Sequence, residues 1–253
     1  MIGKKLSRRE VLTAAGAALL TLAPGVKLVD LAVAASKTAN ASKDEATDNL
    51  VRWGMLVDVN KCADGCTDCV DACNDEHGLR GQNNHNSRPE TDAQYIRVLD
   101  IKDKTTGKQY SLPMMCQHCE TAPCVDVCPT GASFRREDGI VLVDKHTCIG
   151  CRYCMLACPY KARSFVHENL TDQVPTTPRG KGTVESCNFC VHRVDRGEQP
   201  ACVEACGKLG HQALLFGDMN DPDSELSRQL REKSTTQVRD DLNLNTGVRY
   251  YGI

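Results

Sequence analysis

Large aromatic side chains are scarce in this sequence of 253 residues, at 4% for phenylalanine, tryptophan and tyrosine together. Charge of neither sign dominates, and the net charge of -2 argues against a nucleic-acid partner. The dinucleotide, P-loop and nucleophile-elbow motifs are missing, as is the haem-attachment motif C-x-x-C-H. The sequence therefore indicates no catalytic site and no small-molecule substrate of its own.

Cysteine is abundant, with sixteen residues, and the central eight follow two similar spacings. The two runs are Cys148, Cys151, Cys154 and Cys158 before Pro159, and Cys116, Cys119, Cys124 and Cys128 before Pro129. The first run fits C-x2-C-x2-C-x3-C and the second C-x2-C-x4-C-x3-C. The first spacing is that of bacterial ferredoxins, in which the fourth cysteine ligates the other cluster of a pair.

This spacing has a physical reason. Three close cysteines on a tight loop wrap one face of a 4Fe-4S cube, and the fourth points toward a neighbouring cube. The proline removes a backbone N–H and fixes φ beside that ligand. Two runs that exchange their fourth cysteines hold two clusters side by side. We therefore predict cluster 3 on Cys116, Cys119, Cys124 and Cys158, and cluster 4 on Cys148, Cys151, Cys154 and Cys128.

The other eight cysteines form an outer pair of less regular runs. The first of these has an extra residue in its first gap, and Asn74 replaces the proline. By the same exchange we predict cluster 1 on Cys62, Cys66, Cys69 and Cys206, and cluster 2 on Cys187, Cys190, Cys202 and Cys73. The predicted fold class is α+β, a nested duplication of bacterial ferredoxin-like modules with short hairpins and helices around four clusters.

Two other uses of cysteine compete with this interpretation. An even number of cysteines in an exported protein also suits a disulfide scaffold. Structural zinc uses C-x2-C pairs as well. Neither alternative requires runs of four with an x3 gap and a trailing proline, so both explain less of the pattern.

The N-terminus has the form of a twin-arginine export signal. Lys4 and Lys5 precede Arg8-Arg9, a short apolar stretch follows, and Ala32-Val33-Ala34 offers a cleavage site. The stretch is too short to span a bilayer; an amphipathic surface helix is the alternative. Because cluster assembly needs reduced thiols, a route that exports folded proteins suits this chain. We therefore expect a periplasmic protein, peripheral on the membrane.

The cysteine runs also suggest how the chain is divided. We expect a signal peptide at 1–34, a linker at 35–50, an outer module at 51–92 and 168–217, an inner module at 93–167 and a C-terminal helix and tail at 218–253. Polar segments at 77–92 and 168–186 are expected to be surface loops.

Apolar alternation and turn residues predict several local elements. We expect a strand at 53–59, hairpins pairing 95–101 with 109–114 and 133–136 with 140–143, and a tail ending in 248–251 that straps onto the body or a partner. Asp221-Pro222-Asp223 predicts the start of the last helix.

Some side chains near the cysteines are candidates to tune a cluster. His118 and His192 lie within the runs, either as hydrogen-bond donors to a cluster or merely as polar neighbours. The flanking residues Arg152, Tyr153, Lys161 and Arg163 include cations that would offset cluster charge, or else are ordinary surface groups.

With all four runs in view, the chain resembles the four-cluster ferredoxin subunits of membrane oxidoreductases. These include the electron-transfer subunits of dimethyl sulfoxide, polysulfide, tetrathionate and nitrite reductase systems. The resemblance covers about residues 52–217 and rests on the CQHCETAPCVDVCPTGA and CIGCRYCMLACPY motifs. Within the family, the signal and the segment CPYKARSFVHE look most like the exported branch associated with dissimilatory sulfite reductase.

The resemblance implies partners rather than a substrate. It implies a polytopic, quinone-interacting membrane subunit of the NrfD type and a multihaem cytochrome c, with four clusters passing single electrons between them. On this interpretation the chain is a non-catalytic subunit. The alternatives are the beta subunit of a molybdopterin oxidoreductase and a free periplasmic carrier of the ferredoxin type.

Overall fold

The computed structural model describes residues 50–79, 93–167, 169–170 and 173–253. These ranges all fall within one compact unit, Thr47–Ile253. The predicted signal at 1–34, nearly all of the linker and most of the loop at 77–92 lie outside the described residues. Within the described part, the mixture of short helices and small sheets confirms the α+β class. The nested duplication stays a prediction.

The described strands number nine and are two to seven residues long. They are β1 Trp53–Asp58, β2 Ile96–Lys102, β3 Gln109–Met115, β4 Ser133–Arg135, β5 Val141–Val143, β6 Ser164–Phe165, β7 Val184–Glu185, β8 Leu214–Asp218 and β9 Val248–Tyr251. The described helices are α1 Asp68–His77, α2 Pro123–Asp126, α3 Tyr153–Ala157, α4 Val191–Val194, α5 Ala201–Lys208 and α6 Glu225–Glu232, with a 3-10 turn at Asp240–Leu242.

The largest described sheet has β1 at its centre, between β8 and β9. β1 is almost continuously apolar and buried, as a central strand requires. It pairs antiparallel with β8, where Met55 lies opposite Phe216. It pairs parallel with β9, where Val57 lies opposite Tyr250. The tail therefore straps onto the body of its own chain, which is one of the two positions predicted for it.

Both predicted hairpins are present. β2 pairs with β3 from Ile96 opposite Met115 to Lys102 opposite Gln109. β4 pairs with β5 across the turn at Asp138-Gly139, where Gly139 has a φ of +91°. That left-handed conformation suits glycine because it has no Cβ.

The last helix begins later than predicted. The Asp221 carboxylate accepts the Asp223 N–H at 2.9 Å and so forms a turn. Ser224 is the N-cap of α6, and its hydroxyl accepts the Ser227 N–H at 3.1 Å. The prediction of a start at 221–223 was wrong because an aspartate side chain closes a turn as readily as it caps a helix.

The core is built around cysteine. Buried cysteines pack with Met55, Val57, Ile140, Phe189 and Tyr250 in one cluster of apolar side chains. This explains how a chain with few aromatic residues fills its interior. In the part of the chain that the structure describes, no helix combines the length and apolar character that crossing a bilayer demands.

Candidate metal centres: four groups of cysteine

All sixteen cysteines lie in the described ranges, and every thiol is free. Eleven are buried and only Cys151 is exposed. Desolvation disfavours a thiolate, so most of these thiols have a pKa above the usual value when nothing binds them. The disulfide scaffold predicts paired cysteines, but no disulfide bond joins any two of the sixteen.

Group 1 consists of Cys62, Cys66, Cys69 and Cys206, which together line one small cavity. The first three come from the turn after β1 and the start of α1, whereas the fourth comes from α5. The Cys66 thiol, beside the extra residue in the first gap, donates to the Asp68 carboxylate at 3.0 Å. Asp68 and His211 also line this cavity.

Group 2 consists of Cys73, Cys187, Cys190 and Cys202, all of them buried. Cys73 lies on α1 and Cys202 on α5, and these two helices pack against each other. Burial raises the pKa of Cys73, and the nearby thiolates of Cys187, Cys202 and Cys190 raise it further. The two outer runs, which are far apart in the sequence, thus come together in groups 1 and 2. Each group contains three cysteines of one run and one cysteine of the other.

Group 3 consists of Cys116, Cys119, Cys124 and Cys158. Burial raises the pKa of Cys119 to about 12, and the thiolates of Cys124 and Cys158 contribute to this rise. Cys158 belongs to the 148–158 run but lies with three cysteines of the 116–128 run.

Group 4 consists of Cys128, Cys148, Cys151 and Cys154, which line a second small cavity. Cys128 belongs to the 116–128 run but lies with three cysteines of the 148–158 run. Gly150 lies between two of these cysteines with a φ of +68°, and a Cβ at this position would collide with the carbonyl oxygen of Gly182. Only glycine gives the loop both its conformation and its close approach.

The four groups follow one another in a row. Where two groups adjoin, a thiol of one group has a pKa that burial raises and that a thiolate of the other group raises further. The three such thiols are Cys73 of group 2 and Cys116 and Cys124 of group 3. The contributing thiolates are Cys69 on Cys73, Cys187 on Cys116 and Cys154 on Cys124. Such contributions are felt only between charges that lie near each other in a poorly solvated interior. They favour the spatial order group 1, group 2, group 3, group 4.

Histidines contact this row, including one that the sequence did not single out. His77 is buried on α1, four residues after Cys73, and its Nε2 lies 3.3 Å from the Cys190 Sγ. Its i, i+4 relation to Cys73 on a helix was the available signal. Predicted His192 instead pairs with the Glu76 carboxylate, with 2.6 Å between Nε2 and Oε1.

His118, the other predicted histidine, is buried between groups 2 and 3. Its ring stacks on Phe189, the neighbour of Cys190, with centroids 3.7 Å apart. The Val141 N–H donates to its Nδ1 at 3.0 Å, so in the neutral ring the proton is on Nε2. Burial lowers the pKa of His118 to about 3, with Arg163 contributing, which keeps the ring neutral.

Several buried N–H groups near the cysteines have no hydrogen-bond partner among the described residues. They are Nε2 of His118 and Nε and Nη1 of Arg163. A 4Fe-4S cluster with thiolate ligands is anionic, and its sulfurs accept hydrogen bonds. Groups of four thiols beside unpaired buried donors therefore fit this kind of cofactor.

Comparisons with known proteins decide the family. A family model described as a 4Fe-4S dicluster domain matches residues 108–218. The Hdr-like menaquinol oxidoreductase iron-sulfur subunit 1 of Archaeoglobus fulgidus is 41% identical over 97% of each chain. Protein NrfC of Escherichia coli is 38% identical over 98% of this chain and 95% of its own.

The chain belongs to the 4Fe-4S iron–sulfur subunits of oxidoreductases. The family predicted from the cysteine runs is thereby confirmed. A further relative of this iron–sulfur subunit is one of the subunits of the sulfite dehydrogenase of Allochromatium vinosum, 36% identical over 75% of this chain and 78% of its own.

Proposed function

We propose that this iron–sulfur subunit holds four 4Fe-4S clusters and conducts electrons along them, without catalysing a reaction itself. The proposed ligand sets are groups 1 to 4, which correspond to predicted clusters 1 to 4. The observation that carries the proposal is the arrangement of sixteen free thiols in four groups of four, with α1 and α5 linking groups 1 and 2, and Arg163 and Ser133 linking groups 3 and 4. When bound, each cluster would supply reversible one-electron chemistry.

The chain's own contribution is to bury and connect the groups. α1 supplies Cys69 to group 1 and Cys73 to group 2. α5 supplies Cys206 to group 1 and Cys202 to group 2. The short α2 and α3 pack together in the same way around groups 3 and 4. Burial excludes water from most of the thiols, which protects a cluster and affects its potential.

The proposed partners are a polytopic, quinone-interacting membrane subunit of the NrfD type and a multihaem cytochrome c. The Archaeoglobus relative is described as a menaquinol oxidoreductase subunit and the Allochromatium relative as a sulfite dehydrogenase subunit. These descriptions support a quinone at one end of the row and a role in sulfur metabolism. The twin-arginine motif supports a periplasmic location, peripheral on the membrane.

An apolar rim at group 4 supports fixed docking to the membrane subunit. Ile149 and Tyr153 are exposed beside the exposed Cys151, and Leu156 on α3 is 84% exposed. Large apolar side chains grouped on a surface are typical of interaction sites. The rim therefore supports docking to a partner at this end of the protein.

The partners are tested by anaerobic, detergent-solubilised purification of the tagged chain, with identification of the proteins that co-purify. A polytopic subunit and haem c without molybdenum are expected. Leu156→Asp should release the membrane subunit, whereas Leu209→Asp, at a leucine 57% exposed near group 1, should retain it. Molybdenum with a large catalytic chain would replace this proposal by the molybdopterin alternative, and brown protein alone would favour the free carrier.

The exchange of fourth cysteines is tested by matched serine variants. If Cys158 ligates cluster 3, Cys158→Ser should change the same electron paramagnetic resonance signal as Cys119→Ser. Cys128→Ser should likewise match Cys151→Ser. The opposite match, Cys158→Ser with Cys151→Ser, would mean that each run holds its own cluster.

A further inference from the structure

Arg163 is the one flanking cation of the central runs that the structure buries between two cysteine groups. Arg163 immediately precedes β6 in the sequence, and it is 5% exposed. Nη2 donates to the Cys124 Sγ of group 3 at 3.1 Å and to the Ser133 hydroxyl at 2.8 Å. The Ser133 N–H in turn donates to the Cys128 Sγ of group 4 at 3.3 Å. Arg163 and Ser133 thus connect the two groups.

A buried guanidinium needs negative charge nearby, because an uncompensated buried ion is strongly destabilising. Among the described residues, no carboxylate lies within ion-pair distance of Arg163. Its Nη2 lies 3.1 Å from the Cys124 Sγ of group 3, and through the Ser133 hydroxyl it is joined to the Cys128 Sγ of group 4. The ligand sulfurs of these two groups are therefore the source of negative charge that the geometry offers.

The remaining donors of the side chain also need acceptors. Nε and Nη1 are buried and have no partner in the part of the chain that the structure describes. Arginine offers five N–H donors in a rigid fork, so one side chain can serve acceptors on two sides. Sulfur atoms of clusters held by groups 3 and 4 are acceptors of the required kind.

We propose that Arg163 is a shared tuning residue that raises the reduction potentials of clusters 3 and 4 together. This inference rests on the proposed function. A fixed positive charge and N–H donors both stabilise the more negative, reduced state of a cluster. Arg152 and Lys161, which are exposed, act through water and counterions and have less effect. One side chain thereby keeps two neighbouring clusters close in potential, so that an electron passes between them with little energetic cost.

The test is a redox titration of the purified, iron-loaded full chain, followed by electron paramagnetic resonance. In Arg163→Gln, two of the four midpoint potentials should each fall by at least about 59 mV. This shift corresponds to a tenfold change in the equilibrium constant of a one-electron reduction. Arg163→Lys keeps the charge but loses the fork, so the same two potentials should fall less.

The matched control is Arg97→Gln. Arg97 donates to the carbonyl oxygens of Tyr160 and Lys161, so it holds the same segment but donates to neither Cys124 nor Ser133. All four potentials should stay at their wild-type values in this variant. Iron content is measured alongside, because a wild-type chain without four clusters would overturn the proposed function rather than the role of Arg163.

Other outcomes would overturn the inference. Unchanged potentials in Arg163→Gln, or a shift of only one, would show that the charge is not shared. If Arg163→Gln loses its iron, the potentials of Arg163→Lys decide. A joint fall of two potentials supports sharing, and a fall of only one contradicts it. Loss of iron by both variants would make Arg163 a folding residue and not a tuning residue.

Discussion

Replacing Glu185 by glutamine should destabilise the iron–sulfur subunit more than any change of a surface charge. Glu185 ends β7, two residues before Cys187 of group 2, and its carboxylate is fully buried. It accepts the Arg179 Nε–H at 3.0 and 3.1 Å and lies 3.3 Å from the Lys145 Nζ. Arg179 also donates to the carbonyl oxygen of Gly78, at the end of α1. The carboxylate therefore ties three segments together.

The size of the effect follows from what glutamine leaves behind. The amide nearly keeps the side-chain volume, so no cavity forms, but the mostly buried Arg179 and Lys145 lose their counter-charge. Removing one partner of a buried ion pair costs about 3–5 kcal/mol. We expect about 3 kcal/mol because the Lys145 side chain is 24% exposed and keeps some hydration. For a chain of this size that lowers the melting temperature by about 6–12 °C.

The assay is loss of the visible cluster absorbance on heating, with every variant scanned at one rate because such unfolding is irreversible. Glu198→Gln is the matched control, since Glu198 pairs with Arg196 and both side chains are about half exposed. Surface pairs of this kind contribute about 0–1 kcal/mol. If Glu185→Gln melted within about 2 °C of the control, the carboxylate would not have the stabilising role assigned to it.

Three further changes test local parts of the account. Tyr250→Phe removes a buried hydroxyl that donates to the Pro113 carbonyl oxygen at 3.2 Å, so we expect a loss of about 1–3 kcal/mol in stability and a lower melting temperature; an unchanged melt would contradict this. Gly150→Ala forces a strained φ and a collision with Gly182, so iron content should fall by about a quarter, the share of one cluster in four; full iron would argue against a tight loop at group 4. Ser224→Ala removes the cap of α6 and should cost about 1 kcal/mol, seen as faster hydrogen exchange in the first turn of the helix; equal exchange rates would refute the cap.

Features that depend on close neighbours in the chain were predictable from the sequence. The spacing of each cysteine run indicated which three of its thiols come together, because three ligands of one cluster can lie on a single tight loop. Asp138-Gly139 predicted its hairpin because few residues tolerate a φ of +91°. The same short-range logic failed at Asp221, where two local hydrogen-bonding patterns compete and only the packing of α6 decides between them.

Features that depend on tertiary packing were not predictable. The sequence grouped Arg163 with Arg152 and Lys161 as flanking cations, and only the fold separates the buried one from the exposed ones. The contact of His77 with Cys190 joins residues 113 positions apart. The parallel pairing of the tail with β1 is equally non-local, and no pattern in either segment specifies that partner.

The most direct test of the central claim is the count of iron and acid-labile sulfide in the anaerobically purified chain. Four 4Fe-4S clusters predict about sixteen of each per chain. About eight of each would mean that only two of the four cysteine groups hold a cluster. A colourless, iron-free protein with its cysteines in disulfides would contradict the account entirely.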